Sequence, residues 1–286
     1  MLGKHPYLLD KAVRMMNADD LIETLGLTHH VTAPYLPEHY VEDIGHYQIE
    51  QVVHVEASWH KNKGKGMIGE TRFIESLPFN AETVKLGGIV ATADPRDSNF
   101  KKILQLHKKA SPRFKGIRKM AAVHEDKEIR AWADEPHLYR NKKFLKGFEA
   151  LAQNNLSFDA WVYSTQLSDV IALAQQFPET SIVLDHFGTP AGLFGHVGAL
   201  TGLTKVAREN ILVRWQEIYD LAMPLISHVL NCFGTYRVMF ASNFPMDRVS
   251  SSLVDIIDAF SDAVVAYDPN ALERVFHHNA KQFYRL

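Results

Sequence analysis

Cysteine is almost missing from the sequence. One residue, Cys232, stands in a chain of 286. That excludes an internal disulfide framework and a zinc site built from several thiolates. The lone thiol reads as a small buried filler. Long hydrophobic runs are lacking as well: no stretch of about 18 apolar residues occurs, so no membrane-spanning helix is expected. The opening MLGKHPYLLDKAVRMM has a short apolar core and no A-x-A-like site, so no secretory leader is expected and the chain reads as cytoplasmic. Neither sign of charge is in excess. Lys+Arg number 31 against Asp+Glu 33, a net charge of -2, which argues against nucleic acid and anionic membrane as partners. Despite 15 histidines there is no H-x-H pair. H-E-x-x-H, G-x-S-x-G and C-x-x-C are absent too, leaving a zincin site and a serine-nucleophile elbow unsupported.

What the sequence does have is alternation of short β-rich runs with amphipathic stretches. The runs are 51–57, 84–92, 114–118, 157–163, 181–187 and 236–242. Between them, Phe144, Leu145, Phe148, Leu151 and Ala152 repeat at helical spacing behind a candidate cap, Asn141. Leu167, Val170, Ile171 and Ala174 predict a second buried helical face. Strands alternating with helices imply βαβ units on a parallel sheet. The fold class is therefore α/β, a TIM-type (β/α) barrel with six recognisable strands and hence incomplete. An open doubly wound sheet is the competitor, but no G-x-G-x-x-G or Walker motif accompanies it. One domain over 1–286 is expected, with a glycine-rich inserted loop at 188–204.

Chemistry-bearing residues cluster where the strands end, the rim on which barrel sites are built. LDHFGTP delivers Asp185 and His186 at a strand end, and period-2 alternation sends them to opposite sides. His186 is the candidate acid/base group. Arg118 could hold a carboxylate through two parallel hydrogen bonds. Asn243 in ASNFPMD can orient a substrate but cannot take a proton, whereas Asp247 can. His54 and Glu56 share a strand face by i, i+2 spacing, followed by Trp59. Trp161 and Tyr163 likewise share a face and could stack on a ligand or bond to it.

These stretches resemble the amidohydrolase-related family, often labelled amidohydrolase 2. The resemblance is carried by YLPEHYVEDI at 35–44, HVEASWH and GETRFIESL within 54–77, FKGIRK at 114–119, LSFDAWVY at 156–163, IVLDHFGTP at 182–190, RVMFASNFPMD at 237–247 and HHNAKQFYRL at 277–286. It implies a (β/α)₈ barrel similar to lactonases of sugar-acid lactones and of 2-pyrone-4,6-dicarboxylate. It implies further that His186 is a site histidine, that Arg118 binds a carboxylate, and that position 243 is the last-strand group activating water. Three departures stand beside it. The first strand ending in H-x-H has no counterpart, Asn243 replaces the aspartate of many members, and a late strand after NILVRWQ is missing.

The expectation is a hydrolase opening a carboxylated lactone by activated water. Catalytic roles fall to His186, Asn243, Asp247 and Glu56, and substrate contacts to Arg118, Tyr163, Trp161, His54 and Trp59. No metal ligand set and no cofactor are expected, because His186 and Glu56 are too few for the three protein ligands of a catalytic zinc. The partner is a small carboxylated molecule, and a homo-oligomer is left open. A catalytically inactive relative that binds a small acid or a protein, and a metal-dependent decarboxylase or hydratase, are the alternatives.

Overall fold

The computed structural model describes residues 34–61, 63–80, 82–126, 129, 131–189, 223–245 and 251–286. The chain divides into two compact units, Glu50–Gly202 and the flanking Met1–Ile49 with Leu203–Leu286.

The Glu50–Gly202 unit is built on five parallel strands in the order β1-β2-β3-β4-β5: β1 Gln51–Val55, β2 Lys85–Thr92, β3 Phe114–Met120, β4 Ser157–Trp161 and β5 Ile182–Leu184. Helices fill the connections: α1 Ile68–Glu75, α2 Phe100–Ala110, α3 Lys142–Gln153 and α4 Leu167–Gln176. Sequence neighbours are sheet neighbours throughout, as successive βαβ units require. The result is a curled half-barrel, the incomplete TIM-type architecture expected from the sequence.

One core lies between sheet and helices. From the strands come Ile89, Ala91, Ile117, Phe158 and Ala160, and from the helices Ile103, Leu104, Phe144, Phe148 and Leu151. Phe144, Phe148 and Leu151 sit at i, i+4 and i+7 of α3, and the Asn141 Oδ1 accepts from the Lys143 and Phe144 N–H groups to start that helix. The rings of Phe144 and Phe148 meet Phe158 edge-on at centroid distances of 6.0 and 5.0 Å. Helix α4 departs from the expected face. Asp169 and Leu173 are buried while Ile171 is 58% exposed. The face is turned because Asp169 accepts from Arg140 Nε at 2.5 Å and meets His137 Nδ1 at 2.8 Å, so a paired carboxylate takes a position the apolar pattern assigned to solvent.

In the other unit, α5 (Leu253–Tyr267) is capped by Ser252, whose Oγ accepts from the Asp255 N–H. Its Leu253 and Ile257 join Ile44, with Phe240 and Phe276 packed alongside. Residues 236–242, expected as a sixth strand, carry no sheet pairing among the described residues. Their backbone groups are taken up by the helical segment that follows. Phe240 N–H donates to the Val275 carbonyl, and the Asn279 side-chain amide donates to the Val238 carbonyl at 2.6 Å. Cys232 is exposed rather than buried, because the inward positions of helix 223–233 are Ile226 and Leu230. The glycine-rich loop beyond Thr189, the region of the late strand and the first 33 residues lie outside the described residues. Among the described residues no helix is long and apolar enough to cross a membrane.

Candidate active site

Four of the five strands bring chemistry to their carboxyl ends. β1 runs into Glu56, whose N–H donates to the Val90 carbonyl of β2. β3 carries Arg118, β4 ends in Trp161, and β5 runs into Asp185 and His186.

Arg118 is the hub. Its Nε donates to Glu56 Oε1 at 3.0 Å, its Nη2 to the Glu56 backbone carbonyl at 2.5 Å, and its Nη1 to Asp185 Oδ2 at 3.4 Å. The guanidinium carbon stands 5.4 Å from the Trp161 ring centroid, within cation–π range. Side-chain exposure is 12% for Arg118, 3% for Glu56 and 15% for Asp185, so these charges interact with little solvent screening. Asp159, paired with Arg118 across the β3–β4 register and buried, adds a third carboxylate to its field.

Burial raises the Asp185 carboxyl to about 6 against the pull of Arg118, and the Glu56 charge pushes the same way as burial. For His186, desolvation and the Arg118 cation hold the imidazole below its usual value. The residue is exposed on part of its surface, and the ring is neutral at pH 7. Its centroid lies 5.4 Å from that of Trp161, which in turn lies 5.0 Å from Trp132. Trp161 is fixed from both ends. Its N–H donates to the Tyr139 hydroxyl at 3.1 Å and its Nε1 donates to Thr189 Oγ1 at 2.6 Å.

Asp185 escaped the sequence reading because alternation was carried past the end of the strand. β5 stops at Leu184, and His186 (φ 51) and Phe187 (φ 54) are both left-handed. Asp185 and His186 therefore come to the same side as Arg118. A turn signal was present in the G-T-P that follows, but nothing in it specified left-handed backbone at two non-glycine residues.

The remaining expected residues are placed elsewhere. His54 does not join Glu56. Its Nε2 lies 3.1 Å from Glu70 Oε1 on α1, and the same oxygen accepts from the Ala57 N–H at 2.7 Å. His54 pairs in register with Ile89, a residue of the helix-facing core, which explains the direction. These contacts hold Glu70 below its usual pKa despite the desolvation that would raise it. Trp59 packs on Phe73 and over Gly69 of α1. Tyr163 is buried, with its ring edge-on to His124. Asn243, left-handed at φ 51, belongs to the other unit, and Asp247 lies outside the described residues.

A family model described as Amidohydrolase matches residues 85–286. Uncharacterized protein y4mH of Sinorhizobium fredii is 28% identical over 266 residues, 90% of this chain and 87% of that one. An L-fucono-1,5-lactonase of Burkholderia ambifaria is 28% identical over 193 residues, 61% of this chain and 62% of the lactonase. Two solved structures share the fold. A zinc-bound amidohydrolase from Burkholderia multivorans has a TM-score of 0.65 at 18% identity over 90% of each chain. A probable 2-pyrone-4,6-dicarboxylic acid hydrolase from Acinetobacter baumannii, with citric acid bound, has a TM-score of 0.59 at 12% identity over 89% of this chain and 90% of that one.

The donor set at the strand ends does not fit a divalent ion. Glu56 and Asp185 both hold the Arg118 guanidinium, a fixed positive charge where a dication would need to sit. Among the described residues no group of three His, Cys, Asp or Glu is placed to hold a metal.

Proposed function

The chain belongs to the amidohydrolase family, and from that premise we propose that it is a hydrolase opening a lactone with an activated water. The observation that carries this reading is the convergence of Glu56, Arg118, Asp185 and His186 at the carboxyl ends of parallel strands. Similarity to an L-fucono-1,5-lactonase supports the choice of a cyclic ester. So does the left-handed backbone at His186 and Phe187, since strained conformations of this kind collect at functional sites.

In this reading the neutral His186 ring donates its N–H to the lactone carbonyl and polarises it. A water oxygen bonds to the acyl carbon while its proton passes to the Asp185 carboxylate. The tetrahedral intermediate collapses, the ring C–O bond breaks, and the same proton moves from Asp185 to the departing ring oxygen. The product is the open hydroxy acid. Glu56 and Arg118 hold Asp185 in place, and Trp161 walls the ring. Asp185 suits the base role because its raised pKa sits near working pH, and because Asn243 cannot take a proton.

The test is lactone hydrolysis by purified protein and by His186→Ala. Turnover by the parent that falls by orders of magnitude in the variant supports the reading. Unchanged turnover removes His186 from the mechanism. No turnover together with saturable lactone binding favours the inactive, ligand-binding relative.

A further inference from the structure

Behind the turn that follows β1 stands a carboxylate to which the reaction gives no task. Glu70 is the third residue of α1 and is 5% exposed. An acidic side chain at that position often bonds back to the start of its own helix. Glu70 Oε1 instead accepts from the Ala57 N–H at 2.7 Å, 13 positions upstream. The peptide group supplying this N–H is the one whose carbonyl, on Glu56, accepts from Arg118 Nη2 at 2.5 Å. The Glu56–Ala57 bond is trans, so its N–H and C=O point in opposite directions. A carboxylate and a guanidinium thus grip one rigid plane from its two edges. We propose that Glu70 is a positioning residue for Arg118, acting through the Glu56–Ala57 peptide. Its effect on turnover rests on the lactonase reading, whereas its hold on Arg118 does not.

Hydrogen bonds in series polarise one another, so a carboxylate accepting the N–H makes the carbonyl at the other edge a better acceptor for the guanidinium. The grip also steadies a strained turn. Ser58, next in the chain, is left-handed at φ 56, a conformation that costs a residue with a Cβ. Glu70 is itself fixed from behind. An ionised carboxylate only accepts, so His54 Nε2 carries the hydrogen across its 3.1 Å approach to the same Oε1. Burial would raise the Glu70 carboxyl, but the contacts with His54 and Ala57 and the field of Arg118 hold it below its usual value. The acceptor therefore stays charged at pH 7. The consequence reaches the base. With Nε on Glu56 Oε1 and Nη2 on the Glu56 carbonyl, Nη1 is the donor that faces Asp185 Oδ2. A guanidinium released from the carbonyl turns, and its alignment with Asp185 is lost.

Length and charge at position 70 separate this role from a plain tie between α1 and the turn. Glu70→Gln keeps the reach and an acceptor oxygen but loses the charge. Glu70→Asp keeps the charge but is one methylene too short. In protein carrying isotope-labelled arginine, the Arg118 Nε–H signal is identified by its loss in Arg118→Lys. Its exchange with water is measured beside that of Arg140, whose Nε bonds to Asp169 in a separate ion pair. Glu70→Asp is expected to speed exchange at Arg118 about tenfold and to leave Arg140 unchanged, while Glu70→Gln stays within about threefold of the parent, the scale set by one hydrogen bond to a charged group. Should Glu70→Asp not fold, Glu70→Met, of similar length and without an acceptor oxygen, carries the same expectation. Unchanged exchange at Arg118 overturns the inference. So does an effect of Glu70→Gln equal to that of Glu70→Asp, which assigns the coupling to charge through space, and so does a matching rise at Arg140, which marks general loosening. Lactone turnover is followed in parallel. In Glu70→Asp kcat should fall with KM little changed, and Glu70→Gln should recover most of the loss. A parent without turnover sinks the hydrolase reading and leaves the Arg118 result standing. An active parent with unchanged exchange in every variant sinks the inference and leaves the hydrolase.

Discussion

Arg118 and Glu56, 62 positions apart, are joined twice: Nε meets the carboxylate at 3.0 Å and Nη2 meets the Glu56 backbone carbonyl at 2.5 Å. The guanidinium thus ties β3 to the carboxyl end of β1 across the intervening β2. Both side chains are buried, so losing one partner leaves the other charged and poorly compensated. Glu56→Ala is expected to cost about 3 kcal/mol of unfolding free energy, at the lower end for a broken buried pair because Asp185 remains beside Arg118. Glu56→Gln, which keeps a side-chain oxygen able to accept from Arg118 Nε, should cost less than Glu56→Ala. Urea unfolding of the parent and the two variants decides it. Equal losses would mean that the carboxylate charge, and not an unmet guanidinium donor, carries the energy.

Asp185 gives opposite pH signatures for stability and activity. Its folded pKa is raised to about 6, above that of an unfolded aspartate. The folded state therefore holds the proton more tightly. The stability contributed by this group is fully present below the unfolded pKa and is lost as pH rises through about 6. A base must be ionised, so kcat/KM should instead rise with pH through the same region. Asp185→Asn is expected to lower turnover sharply and to erase the acid limb near pH 6. A parent profile that is flat from pH 5 to 7 would remove Asp185 from proton transfer.

How far the sequence could reach is clear from the same residues. Runs of β-branched residues between helical stripes were enough for five strands and their parallel order, because each run lies beside its successor. Glu56, Arg118, Trp161 and His186 were legible from strand-end position alone. His54 was not, since two residues sharing one strand face can be pulled to different partners once the strand ends at Val55 and the chain turns at Ser58 (φ 56). The 236–242 run looked like a strand because β-branched and aromatic content does not encode a partner. Its hydrogen bonds go to Val275 and Asn279 instead. The turn of α4 was hidden for a related reason: the carboxylate that is buried there is paired by residues about 30 positions upstream in sequence.

Gly147 reverses the usual helix rule. Within a helix, Gly→Ala is ordinarily favourable by about 1 kcal/mol. Gly147 lies inside α3, and a methyl group built on its Cα would overlap the Pro95 carbonyl oxygen and carbon, which are backbone atoms that cannot swing aside. Gly147→Ala is expected to destabilise by about 1–3 kcal/mol through forced separation of α3 from the segment after β2. Chemical denaturation reads the sign directly. A stabilised variant would show that this packing is looser than the close approach implies.

A last expectation sets backbone strain against chemistry at His186. The residue is left-handed at φ 51, a conformation that costs an L-residue with a Cβ roughly 1–2 kcal/mol and glycine almost nothing. His186→Ala and His186→Gly both delete the imidazole and its contact with Trp161, so both should lose lactone turnover by orders of magnitude. Their stabilities should differ in the unusual direction. In most places glycine is the less stable of the two because it has more freedom to lose on folding. Here relief of the left-handed strain outweighs that loss, and the glycine variant is expected to unfold about 1 kcal/mol later than the alanine variant. Paired thermal and urea melts measure the difference. An alanine variant at least as stable as the glycine one would mean that the turn after β5 relaxes once the ring is gone, and that the imidazole, not the surrounding fold, imposes the strained backbone.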